Sequence, residues 1–454
     1  PFFDPIRIGA SGAADTTYTV DRGLRFNSSD NAKLSRANSS SGDRKKWTFS
    51  FWIKYLELAS TSNSTRILAR TGTGDNRETI HINNGIMTYQ LRISGSVKAL
   101  MKTEGSIFRD QSAWQHIVVI IDTANSTGAD RVIFYQNGVR LDQTVTTTMV
   151  QNSNTYINST STNYIGNDAA GVDSNMYLAE CHFLDGYAYD SSYFGETNAT
   201  TGQWNPKKYT GSYGSQGWYL KFDDNSDVTA TTLGKDSSGN GNNWTPSGLN
   251  TIDSMPDSPT NNFCIINEND KSTDTRLTVT DGNLKVGTSH GFRTARATFG
   301  LSSGKWYWEA RLITWASSFI GITDTEENIT STSRGAETSN SAMIRQNNGD
   351  IRTGGSNSSY GNSQANGDIL GFALDMDNGK FYISENGTFY NSGDPVNGTN
   401  PAKSGLTGTV CPSAAPYDNK SCYFNFGQDD TFDGNETSQG NTDGNGLGKF
   451  KYAP

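Results

Sequence analysis

Trp47, Phe49, Phe51 and Ile53 alternate with Thr48, Ser50 and Trp52. This two-residue rhythm recurs along the chain and constrains its fold more than any other feature. Successive side chains of an extended strand point to opposite faces, so such a segment has one apolar face to bury and one mostly polar face. The helical rhythm is missing: no amphipathic run of period 3.6 exceeds about two helical turns. The run His116-Ile117-Val118-Val119-Ile120-Ile121-Asp122 is apolar almost throughout, as expected of a strand flanked on both sides. Turn formers separate these segments. Asn137-Gly138 and Asp377-Asn378-Gly379-Lys380 supply the left-handed backbone that tight hairpins require. With 48 glycines and 33% hydrophobic residues, the chain reads as many short strands and many turns. An all-β protein follows.

At 454 residues the chain exceeds what one core usually supports, so two domains with tails are expected. Two full sets of strand signals flank one stretch rich in Ser, Asp and Pro. The resulting division is an arm over 1–20, a first sandwich over 21–246, a linker over 247–259, a second sandwich over 260–432 and a tail over 433–454. A net charge of −9 argues against binding a phosphate backbone, which needs clustered Lys and Arg. Arg44-Lys45-Lys46 and Lys207-Lys208 are compact basic spots that read as solvated edge charges. No apolar stretch approaches the roughly 20 residues that span a bilayer. The start Pro1-Phe2-Phe3-Asp4-Pro5 lacks the positive n-region of a signal peptide, so a soluble protein without classical export is expected.

Of the 4 cysteines, Cys411 and Cys422 could face each other across a hairpin around Pro416-Tyr417-Asp418-Asn419. Buried thiols are the better reading. Cys181 lies in Tyr177, Ala179, Cys181 and Phe183, taken as the inward set of one strand, and Cys264 begins an apolar run. No cysteine pair has the spacing of a zinc knuckle.

The runs Gly304-Lys305-Trp306-Tyr307-Trp308-Glu309, Gly367-Asp368-Ile369-Leu370-Gly371-Phe372-Ala373-Leu374-Asp375-Met376-Asp377 and Asn425-Phe426-Gly427-Gln428 occur in that order. They resemble the SPRY domain, over roughly 257–430. The resemblance implies an antiparallel sandwich that binds partners through its end loops. Upstream, Trp114-Gln115-His116-Ile117-Val118-Val119, then Phe134-Tyr135-Gln136-Asn137-Gly138, then Ile165-Gly166, then Ala179-Glu180 followed by Asp185-Gly186, resemble the laminin-G-like, concanavalin-type jelly roll. One departure stands out. In many such domains a Trp-Tyr-x-x-Phe-x-Asp segment and an Asp-Ser-Ser-Gly-Asn-Gly-Asn segment precede the first strand. Here Trp218-Tyr219-Leu220-Lys221-Phe222-Asp223-Asp224 and Asp236-Ser237-Ser238-Gly239-Asn240-Gly241-Asn242 follow the last one. The order looks circularly permuted, a rearrangement that sandwiches with neighbouring termini tolerate.

Concanavalin-like folds include glucanases, whose Glu-x-Asp-x-x-Glu run places paired carboxylates on one strand face. No such run exists here, and Glu180 stands alone on its strand. The histidines at 81, 116, 182 and 290 are dispersed. A binding protein is therefore expected, with no cofactor. Asp223, Asp224, Asp227 and Asp236 crowd two loops with oxygen ligands of the calcium type, although tight turns demand the same residues. Trp315, near a strand end, and Tyr360, in the polar loop 354–367, are candidate rings for stacking on sugars.

The opening Phe2-Phe3-Asp4-Pro5-Ile6-Arg7-Ile8-Gly9-Ala10-Ser11-Gly12-Ala13 and the closing Gly446-Leu447-Gly448-Lys449-Phe450-Lys451-Tyr452-Ala453-Pro454 resemble virion structural proteins of marine tailed phages, as does the domain order between them. In those proteins the Tyr-Ala-Pro segment commonly continues into further sequence. The resemblance implies a tail fibre, spike or capsid knob, assembled in the host cytoplasm and located on the virion. It also implies a homo-oligomer, with a trimer favoured. Phe2, Phe3, Ile6 and Ile8 would dock the arm on other virion subunits. The expected function is recognition of host surface glycan or protein, without membrane insertion or nucleic-acid binding. The alternatives are a decoration or connector that touches only virion subunits, and a glycan-degrading spike.

Overall fold

The computed structural model describes residues 18–57, 65–71, 75–168, 171–172, 174–329 and 332–454. Strands dominate, every strand pairing is antiparallel, and the described residues contain no α-helix. No helix among them is long and apolar enough to cross a membrane. The chain divides into two compact units, Gly12–Asn262 and Phe263–Pro454.

The first unit is a sandwich of two sheets. One runs Val139–Arg140, Val132–Gln136, Gln115–Asp122, Lys46–Tyr55, Met176–Asp185, Gly23–Phe26, Ser254–Met255. The other runs Gln143–Thr147, Ser96–Thr103, Ile86–Ile93, Arg77–Asn83, Thr65–Thr71, Thr162–Ile165, Lys33–Ala37, Thr245–Ser247. The two-residue rhythm acts as expected in Lys46–Tyr55: Trp47, Phe49, Phe51 and Ile53 enter the core, where they meet Leu68, Ile80, Ile82 and Tyr89 of the facing sheet. The hairpin at Asn137-Gly138 also forms, both residues having positive φ, 46° and 86°.

Trp218–Leu220 pairs with the second half of Met176–Asp185, alongside the position that Gly23–Phe26 fills on its first half. Trp218, Leu220, Phe222, Leu233 and Trp244 complete the core.

Three expectations are corrected here. The stretch 247–259 is not a linker. Ser254–Met255 pairs with Gly23–Phe26, Asp253 bonds to Arg25 at 2.9 Å, and Asp257 bonds to Lys54 at 2.6 and 2.9 Å inside the unit. Residues 433–454 are not a free tail, since Phe450 is buried and Glu309 accepts the backbone N–H of Lys451 and Tyr452. Tyr177 and Ala179 do not share a face with Cys181 and Phe183. Glu180 forms a bulge with φ 49°, the register shifts between Ala179 and His182, and Met176 and Leu178 enter the core instead. One extra residue reverses the side-chain alternation beyond it.

The second unit is also a two-sheet sandwich. Lys305–Thr314 lies between Ile369–Asp375 and Lys420–Asn425, so the three runs singled out in the sequence are spatial neighbours. Trp308, Leu312, Phe372 and Phe381 of that sheet pack against Ile320, Ile322, Ile344 and Val410 of the other. Cys411 and Cys422 lie on opposite sheets, and all four cysteines are buried and free. Burial pushes the Cys411 thiol up to about 12 and the Cys422 thiol higher still.

Candidate functional site

Strand Lys33–Ala37 turns Leu34 and Arg36 inward. Arg36 is thus a cation placed where the alternation calls for an apolar side chain. Asn163 stands opposite it on Thr162–Ile165, and Trp244 precedes Thr245, which pairs with Ser35 on the other flank. These residues, with Asn38, Gln216 and Trp218, line a narrow cleft of about 10 Å³, room for about one water molecule.

Arg36 is 9% exposed, yet among the described residues it forms no ion pair. Its guanidinium donates to Asn38 Oδ1 at 2.6 Å, to Gln216 Oε1 at 3.2 Å and to the Gln216 carbonyl at 3.4 Å, all of them neutral acceptors. Burial draws its pKa down to about 10. Two further polar atoms of the pocket lining are unsatisfied. Asn163 Oδ1 and Trp244 Nε1 are buried without a hydrogen-bond partner. Asp236 and Asp185 lie near enough to offset part of the charge, and since a buried polar group costs free energy unless it is bonded, the two orphan atoms mark a place suited to an ordered water.

The surrounding loops are held by aspartates. Asp185 accepts from the Asp43 N–H, Asn158 Nδ2, Ser215 Oγ and the Gln216 N–H. Asp236 accepts from the N–H groups of Tyr219, Ser238 and Asn242 and from Ser238 Oγ. This accounts for the oxygen-rich loops noted in the sequence. Asp223 pairs with Lys221 at 2.7 Å, Asp224 accepts from Ser226, and Asp227 accepts from the Val228 N–H. The four aspartates do not converge, and no cluster able to hold a metal exists among the described residues.

Of the two ring candidates of the second unit, Trp315 is buried and Tyr360 is half-buried. Trp315 is 2% exposed within the core, and Tyr360 packs edge-on against Tyr390 with ring centroids 5.8 Å apart. Phe2, Phe3, Ile6 and Ile8 lie outside the described residues.

Glu180 bears on catalysis. Both its carboxylate oxygens are occupied by phenols, Tyr18 at 2.7 Å and Tyr219 at 2.5 Å, and His182 Nε2 lies 3.4 Å away. Among the described residues no second carboxylate enters this network, so the acid pair of a glycoside hydrolase is not assembled there. The sequence reading missed Arg36, Asn163 and Trp244. A signal was present: Leu34 and Arg36 occupy equivalent positions of one strand, and a charge on an inward face calls for an explanation.

Residues 26–185 match the model of the concanavalin A-like lectin/glucanases superfamily. No curated protein matches the chain. Among solved structures the chain is similar to the SPRY domain of human HERC1, at 15% identity and a TM-score of 0.29 over 35% of this chain and 96% of that one. It is similar as well to a heptameric SAP-like pentraxin from Limulus polyphemus, at 16% identity and a TM-score of 0.29 over 38% of this chain and 80% of that one. Both likenesses concern fold alone.

Proposed function

We propose that this chain is a non-enzymatic subunit of a phage virion appendage that captures host-surface glycan through its first unit. The observation that carries the reading is the match of residues 26–185 to the concanavalin A-like lectin/glucanases superfamily. The resemblance of both chain ends to virion structural proteins supports the setting, with the arm docking on other subunits and a homo-oligomer, trimer favoured, multiplying weak single sites. The second unit adds a sandwich that resembles the SPRY type, whose end loops would meet a protein partner.

The full chain, immobilised and exposed to purified host envelope glycans, should retain them without generating reducing ends. Absence of retention sinks the reading. Release of reducing ends that Glu180→Gln abolishes would install the glycan-degrading spike in its place. Burial of the chain between other subunits, seen by electron microscopy of the particle, would install the connector.

A further inference from the structure

Lys54 and Asp257 meet where neither side chain has any exposed surface. Lys54 leaves strand Lys46–Tyr55 on the face opposite Ile53 and Tyr55, and Asp257 lies just past Ser254–Met255. Lys54 Nζ donates to Asp257 Oδ2 at 2.6 Å and to Oδ1 at 2.9 Å, and Trp114 Nε1 donates to Oδ1 at 2.8 Å. The rings of Trp114 and Tyr177 flank Nζ, their centroids 5.7 and 5.8 Å away. Burying both ions forfeits their hydration, which their mutual attraction recovers only in part. An amide joining the same two side chains carries no charge to hydrate. Arg25 and Asp253, buried in the same unit, have no such alternative, because a guanidinium keeps its proton. A lysine amine can lose its proton and act as a nucleophile.

We propose that Lys54 and Asp257 condense into an isopeptide bond that closes the first unit covalently. The proton held in the 2.6 Å contact passes from Nζ to Oδ2, which leaves an amine and a carboxylic acid, both uncharged. Nζ then attacks Cγ, while the indole N–H of Trp114 holds Oδ1, where the negative charge of the tetrahedral intermediate gathers. A second proton leaves Nζ, the Cγ–Oδ2 bond breaks, and Oδ2 departs as water. One Nζ–Cγ bond replaces one Cγ–Oδ2 bond, and nothing is oxidised or reduced. Contact between the two groups in the folded chain supplies the proximity that free amines and acids lack. The closed site then offers no water to hydrolyse the bond. It ties the strand Lys46–Tyr55 to chain 203 residues further on, and it stands independently of the glycan reading.

The mass of the purified full chain, measured in denaturant after folding, decides it. It should fall short of the mass of the expressed sequence by one water. Tryptic digestion should leave the chain uncut after Lys54 and yield a branched peptide that joins the segment around Lys54 to the segment around Asp257. Lys54→Arg keeps a cation beside Asp257 but forms no such bond, so its mass should equal that of its sequence. The native measurement stands whether or not that variant folds. A native mass equal to that of the sequence overturns the proposal and leaves a buried ion pair. A loss of water that persists in Lys54→Arg, or that maps to another residue as an aspartyl succinimide would, overturns it equally.

Discussion

Glu78 is a carboxyl group without exposed surface, on a strand whose sequence gave no reason to expect one inside. Tyr89 OH donates to it at 2.7 Å, and the N–H groups of Tyr156 and Ile157 donate to its other oxygen. These bonds tie the loop after 148 to the sheet, and they favour the charged form. Burial outweighs them and pushes the pKa from 4.5 up to about 7. Between those values the folded protein holds a proton that the unfolded chain has released. Stability from this group is therefore complete below pH 4.5 and falls as the pH rises toward 7. The loss is on the order of 3 kcal/mol. Urea midpoints at about pH 5 and about pH 8 should differ more for the native chain than for Glu78→Gln, which has no proton to release. Parallel profiles for the two would refute the assignment. The alternation of Arg77–Asn83 can be read along the chain, but the burial of Glu78 is set by a loop far along the sequence.

At the scale of elements, Glu309 shows the same separation. The run Lys305-Trp306-Tyr307-Trp308-Glu309 announces a strand, and that strand forms. What Glu309 does is invisible locally, because its donors at Lys451 and Tyr452 are 142 and 143 residues away, at 2.9 and 2.8 Å. Phe450 packs edge-on against Tyr307 with centroids 5.1 Å apart, and Arg311 and Lys451 both pair with Glu436. Removing 433–454 from a fragment spanning 263–454 should therefore cost at least about 3 kcal/mol, from the lost burial of Phe450 against Tyr307 and a buried carboxylate stripped of two donors. Thermal melts of the fragments 263–454 and 263–432 decide this, and equal midpoints would show the segment to be accessory. The bulge at Glu180 is the other element that local pattern misjudged. Period two holds on each side of it, so the strand was legible. The slip was not, since nothing in the alternation marks a single residue as unpaired.

Across the whole molecule, two cores lie in two units, and the division falls at 262–263. Fragments 12–262 and 263–454 should each unfold in one cooperative transition. A fragment ending at 246 should be far less stable than one ending at 262, because it strips Arg25 and Lys54 of Asp253 and Asp257. Breaking a buried pair on one side typically costs about 3–5 kcal/mol. Comparable denaturant midpoints for the two lengths would show that 247–262 adds nothing. Pro, Ser and Asp in that stretch were read as a linker because turns use the same residues whether they are free or packed. The all-β class, the strand cores and the hairpins at Asn137-Gly138 and Asp377-Asn378-Gly379 were legible because period two and left-handed turn preference are written within a few adjacent residues. The ion pairs Arg25–Asp253 and Lys54–Asp257 span 228 and 203 residues. One narrow cleft joins Arg36 to Asn163 and Trp244. These exist only once the sheets have closed, because burial and the partner a charged side chain meets are properties of the packed layers and of no local segment.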